Sequence, residues 1–130
     1  MLLDTSVLAA IAFGEPGAER LVQTILASAD RVLGAPSAVE LAVVLGRRGV
    51  PEPEGLVARL CEELGVVVLP FPVHLWREAA VAWRRFGKGR HPAALNLGDC
   101  YVYAVARATE LPLFALGDDF TQTDLHVLRP

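Results

Sequence analysis

Short apolar runs closed by a polar or helix-breaking residue alternate along this chain with stretches whose apolar positions recur every three or four residues. The first pattern marks strands and the second amphipathic helices, so their alternation predicts a β/α chain. "MLLDT" reads as a strand ended by an acid, followed by a helical stretch through Phe13 and a break at Gly14, Pro16 and Gly17. "AERLVQTILASA" spaces Leu21, Val22, Ile25 and Leu26 as a helix does, and "RVLGAP" reads as a strand ending at Pro36. "SAVELAVVLGRRG" predicts a helix opened by Ser37 and closed by Gly49, with Glu40 in its first turn. Helices are also expected over 54–64 and 73–86, a β-branched strand at "VVVLP", and a buried helix over 94–106 that Asn96 starts. "LFAL" reads as a strand, "GDDF" as a turn and "HVLR" as a terminal edge strand. Such an order predicts an α/β fold: a three-layer sandwich with a mainly parallel central sheet flanked by helices.

Composition narrows what such a fold can be. A chain of 130 residues with 53% hydrophobic content is one domain's worth, 1–130, able to bury a core and not disordered. Apolar runs such as "GVVVLPFPV" are broken well short of the ~20 residues that cross a bilayer, and the N-terminus lacks the basic flank of a signal peptide. The expectation is a cytoplasmic protein with no membrane contact. Cys61 and Cys100 match no zinc spacing and are too few for a disulfide framework, so they read as reduced, helix-packed thiols. The net charge of -3 is the wrong sign for a simple nucleic-acid binder, so any such role needs local positive charge.

In an open parallel sheet, ligands bind beyond the carboxyl ends of the strands, and acids fall at that edge. Asp4 ends the first strand, Glu40 follows the second, Asp99 opens the buried helix, and Asp118 or Asp119 follows "LFAL". Each has a local structural explanation. Asp4 suits a helix N-cap, Ser37 with Glu40 and Asn96 with Asp99 both have capping-box spacing, and "GDDF" suits a turn. Together they are harder to explain locally, because converging carboxylates repel one another while a cap contributes only about 1 kcal/mol.

An all-oxygen set without His or Cys at ligand spacing suits a hard cation, Mg²⁺ or Mn²⁺, rather than zinc. Such an ion activates water and neutralises phosphate oxygens, which is the chemistry of phosphodiester cleavage. Thr5, Ser6 and Asn96 stand beside the acids in sequence and could orient a carboxylate or hold a metal-bound water. One stretch supplies local positive charge. No acid occurs from Ala79 to Gly98, while Arg84, Arg85, Lys88 and Arg90 crowd together between glycines, with His91 next. A flexible basic loop there would bring phosphates to the acids; the same bases would also suit the end of a helix.

"LLDTSVLAAI", "SAVELAVVL", "HPAALNLGDCYVYAVA" and "LPLFALGDDFTQTDL", in that order and over essentially the whole chain, resemble PIN domains, and most closely the VapC-type toxins of toxin-antitoxin pairs. The resemblance implies a Mg²⁺- or Mn²⁺-dependent endoribonuclease with Asp4, Glu40, Asp99 and an acid of "GDDF" as its site. Asp118, directly after Gly117, is the better match, with Asp119 as the alternative. It further implies a homodimer and a cognate antitoxin whose tail crosses the cleft. "LLDTS" and "GDDFTQTD" faintly resemble haloacid-dehalogenase-like phosphatases, but Ser6 stands where that family has its second Asp. A non-catalytic binding module of the same fold is the other alternative, and it gives no reason to keep repelling carboxylates together.

Overall fold

The computed structural model describes all residues, Met1–Pro130. Five strands, β1 (Leu2–Leu3), β2 (Val32–Gly34), β3 (Val67–Leu69), β4 (Leu113–Phe114) and β5 (Val127–Leu128), form one sheet in the order β3-β2-β1-β4-β5. Every pairing is parallel, so the expected mainly parallel sheet is parallel throughout. The helices are α1 (Thr5–Ala12), α2 (Ala18–Leu26), α3 (Ala35–Arg47), α4 (Pro53–Leu64), α5 (Leu75–Phe86) and α6 (Leu97–Thr109), with a short 3-10 turn over Phe120–Gln122.

The three central strands are covered on both faces, and their alternation divides the molecule. Leu2 and Leu113 point into a core shared with α5 and α6. Leu3, Leu33 and Phe114, one residue on in each strand, point into a second core built from α1 to α4. Two cores on opposite faces of one sheet make the three layers, because successive side chains of a strand leave opposite faces. The outer strands are the least covered, with Val67 and Val68 of β3 exposed at one edge and β5 half-buried at the other. Cys61 and Cys100 are free, buried thiols on α4 and α6. No helix is long and apolar enough to cross a membrane.

Two expectations fail at the junction of β2 and α3. The strand ends at Gly34 rather than Pro36, and the helix begins at Ala35, with Gly34 as its N-cap and Pro36 in its first turn. Proline has no N–H to leave unpaired there, and its fixed φ is already helical. Ser37 therefore lies inside the helix, makes no cap hydrogen bond, and Glu40 sits in the second turn. The Ser37–Glu40 capping box does not form, which frees the Glu40 carboxylate for another partner.

Candidate active site

Three helix beginnings meet beyond the carboxyl ends of β1 and β4, and each brings an acid. Asp4 is the N-cap of α1, accepting from the Ser6 N–H at 2.9 Å and from the Ser6 hydroxyl. The Ser6 hydroxyl also accepts from the Leu116 N–H at 3.1 Å, tying Asp4 to the segment after β4. Glu40 accepts from the Thr5 hydroxyl, its Oε2 at 3.2 Å. That hydroxyl also lies 3.3 Å from the Ser37 carbonyl, so Thr5 links α1 to the first turn of α3. Asp99 and Asn96 form the expected capping box of α6, each side chain accepting from the other's N–H at 2.9 Å.

These acids line one cleft of about 290 Å³ together with Thr5, Ser6 and Asp119, and no lysine, arginine or histidine lines it. Asp118 does not face the cleft. It turns outward, 78% exposed at the side chain, and pairs with Arg129, which also donates to the Gly117 carbonyl at 3.0 Å. The fourth acid placed at the cleft is therefore Asp119, one residue later than expected. Adjacent residues in a tight turn point in different directions, and Arg129 takes the first of the pair.

The electrostatics carry the mark of that convergence. Burial raises the Asp4 carboxyl above its ordinary value; the Ser6 hydrogen bonds oppose the rise and the Asp119 charge adds to it. Burial likewise raises Glu40, against the Thr5 hydrogen bond and with repulsion from Asp4. Asp99 is pushed up to about 6, first by burial, against the Asn96 N–H bond, and further by the charges of Asp4, Asp119 and Glu40. Carboxylates this unfavourable when ionised point to a cation. No three of them are gathered tightly enough to enclose an ion unaided.

Gly98 is a position whose importance sequence reasoning missed. A Cβ there would stand 2.8 Å from Glu40 Oε2, so only glycine lets the carboxylate lie against the first turn of α6. The available signal was a glycine just inside a helix start, where it is disfavoured by about 1 kcal/mol.

The basic stretch differs from the expected flexible loop. Arg84 and Arg85 belong to the last turn of α5, where cations suit the helix dipole. The following residues fold into a closed loop: Lys88 N–H bonds the Leu95 carbonyl at 3.0 Å and Leu95 N–H bonds Phe86 at 2.9 Å. Gly87 permits the closure, since a Cβ there would come 2.3 Å from the Trp83 carbonyl oxygen. Arg85 is engaged elsewhere, donating to Asp124 at 3.4 Å and to the Tyr103 hydroxyl at 3.3 Å. The His91 ring packs edge-on to Phe86 and accepts from the Ala93 N–H at 3.1 Å. Arg84 remains exposed at the end of α5, and Lys88 and Arg90 remain exposed on a loop fastened directly to the start of α6.

The model of the PIN domain matches residues 1–125, and the chain belongs to that family. It is 44% identical over 126 residues to "Ribonuclease VapC42" of Mycobacterium tuberculosis, an alignment spanning 96% of both chains. Its fold matches the crystal structure of VapC20 from Mycobacterium tuberculosis, described as a sarcin-ricin loop cleaving toxin, with TM-score 0.79 and 18% identity over 99% of this chain and 98% of that one. It also matches a toxin-antitoxin complex from Klebsiella pneumoniae, with TM-score 0.72 and 15% identity over 98% of this chain and 94% of that one. The two structural likenesses are likenesses of fold. The faint resemblance to haloacid-dehalogenase-like phosphatases has no counterpart in the family match.

Proposed function

We propose that this chain is a metal-dependent endoribonuclease of the VapC type, the toxin of a toxin-antitoxin pair. In this reading it acts in the cytoplasm as a homodimer and is restrained by a cognate antitoxin lying across the cleft. The observation that carries the catalytic part is the convergence of Asp4, Glu40, Asp99 and Asp119 on one cleft with no protein cation among them. A module that only bound a partner would carry that repulsion for nothing.

The donor set fits a hard divalent cation, Mg²⁺ or Mn²⁺. All donors are oxygens, and Mg²⁺ keeps several waters and needs only one or two carboxylates, which suits acids that do not close a complete cage. When bound, such an ion supplies neutralising charge for a phosphodiester and lowers the pKa of water. The chain's own residues do the positioning. Ser6 fixes Asp4 through one carboxylate oxygen, Thr5 holds Glu40, and Asn96 holds Asp99 by Oδ2. With Oδ2 engaged by the Asn96 N–H, Asp99 Oδ1 is the oxygen that would be turned to the ion or its water. The N-terminal ends of α1 and α6 add partial positive charge where phosphate negative charge must be held.

Arg84, Lys88, Arg90 and His91 hold the RNA backbone beside this cleft, and Arg85 serves the fold. Incubating the chain with total RNA and Mg²⁺ or Mn²⁺ should give discrete internal cuts that vanish in Asp4→Ala. Uncut RNA with both ions would overturn the reading.

A further inference from the structure

Both tryptophans of the chain lie on α5, seven residues apart, and both are exposed: Trp76 at 56% and Trp83 at 47%. Seven residues is two helical turns, so the rings occupy one face about 10 Å apart along the axis. An arginine is set over each ring. The Arg77 guanidinium stands 5.3 Å from the Trp76 ring centre, and Arg90 reaches back from the closed loop to stand 4.2 Å over Trp83. Apolar rings left in solvent beside cations serve no purpose in the core, which takes Leu75, Ala79, Ala82 and Phe86 from the opposite face.

The position of this face relates it to the cleft. The end of α5 is bonded to Leu95, next to the N-cap Asn96 and four residues before Asp99. Trp83 therefore lies one turn from the junction that leads into the acidic site, and Trp76 two turns further out. Half-exposed aromatic rings with cations alongside are what unpaired bases and their phosphates require, since stacking needs a free base face and the backbone needs positive charge. A duplex cannot use them, because its base faces are already stacked.

We propose that the exposed face of α5 is a subsite for single-stranded RNA, where Trp83 and Trp76 stack unpaired bases flanking the cleaved bond and Arg90 and Arg77 face the phosphates. The proposal rests on the reading of the chain as a ribonuclease and adds to it where on the molecule the flank of the substrate lies.

The test uses the full chain carrying Asp4→Asn, which keeps an N-cap side chain while preventing turnover, titrated with an unstructured 15-nucleotide RNA and with the same RNA as a duplex. Intrinsic fluorescence reports directly, there being no other tryptophan. Single-stranded RNA should quench both rings and bind more tightly than duplex. Trp83→Ala and Trp76→Ala should each weaken single-strand binding by roughly tenfold to a hundredfold, with the salt dependence unchanged, and Trp83→Phe should restore most of the loss. Unchanged single-strand affinity in both alanine variants overturns the subsite while leaving the ribonuclease reading intact. A shift from dimer to monomer in those variants by sedimentation assigns the face to a protein contact and also overturns it. If the Asp4→Asn protein binds no RNA of either form, the ribonuclease reading fails first and the subsite with it.

Discussion

Within seven residues of one segment stand three aspartates with opposite fates. Asp118 pairs with Arg129, and Asp124 accepts from the buried Tyr103 hydroxyl at 2.8 Å and from Arg85. Asp119, between them, faces a cleft that already holds Asp4, Glu40 and Asp99 and no cation. The contrast shows in the titration of the neighbours. Partial burial works to raise Asp124, yet the Tyr103 hydrogen bond and the Arg85 charge hold its carboxyl below the usual range. Asp99 in the cleft, with burial and three like charges around it, is pushed up to about 6. Acidic residues alike in sequence are thus separated by their company: those given an arginine by the fold hold the chain together, and those denied one stay mutually repelled, which is what the proposed cation would relieve.

The comparison is broken most severely by exchanging the two kinds of acid. Asp99→Asn and Asp119→Asn should each lower cleavage by on the order of 100-fold or more, in line with losing a group that holds a catalytic metal. The metal-free Tm should stay level or rise as repulsion is relieved. Asp118→Asn should leave cleavage within about twofold, since an exposed ion pair contributes at most ~1 kcal/mol. Cleavage lost in Asp118→Asn and kept in Asp119→Asn, measured on one RNA, would invert the assignment.

Metal binding should come next in size. Mg²⁺ or Mn²⁺ at about 100 times its dissociation constant should stabilise the wild type by ~2.7 kcal/mol, read as a rise in Tm. Asp99→Asn should lose most of that rise. An equal rise in both proteins would place the ion elsewhere.

The pH dependence sharpens the same point. Asp99 binds its proton more tightly in the fold, at about 6 against an ordinary 3.8, so the folded state carries more protons between those values. Metal-free stability therefore falls as pH rises from about 4 through 6 and stays at its lower level above. Measured as the Tm of wild type minus that of Asp99→Asn, the difference should grow more favourable to the wild type on acidification from pH 7 to 5. The metal-induced rise should shrink over the same interval, because protons compete for the ligands. A pH-independent difference would mean that neither burial nor the neighbouring charges raise the Asp99 carboxyl.

The smallest effect belongs to the paired acids. Tyr103→Phe removes the hydroxyl that donates to Asp124 and should cost about 1 kcal/mol of stability by denaturant melting. The metal-induced rise in Tm should not change; its loss would show that the Tyr103–Asp124–Arg85 group reaches the cleft.

Much of this was legible in the chain itself. The alternation of apolar runs and helical spacings yielded the strands, the helices and a parallel three-layer fold, because period-two and period-3.6 burial are local consequences of backbone geometry. Asp4, Glu40 and Asp99 could be placed at the sheet edge for the same reason, and Asn96 with Asp99 forms the box their spacing predicts. The failures were cases where one local rule was overruled, by adjacent residues or by a partner far along the chain. Ser37 lost its capping role to Gly34 and Pro36, and Glu40 found Thr5, a residue 35 positions away.

The sequence by itself determined which residues could take part: the order of elements, the acids near strand ends, and the basic end of α5. Only the tertiary structure decided between neighbours. Asp119 rather than Asp118 enters the cleft because Arg129, eleven residues further on, claims the other. Arg85 is withdrawn from the basic group because Asp124 and Tyr103 meet it in space. Whether a carboxylate is paired or repelled depends on charges within a few ångströms, and those distances are set by how the layers pack rather than by the residues on either side in the chain.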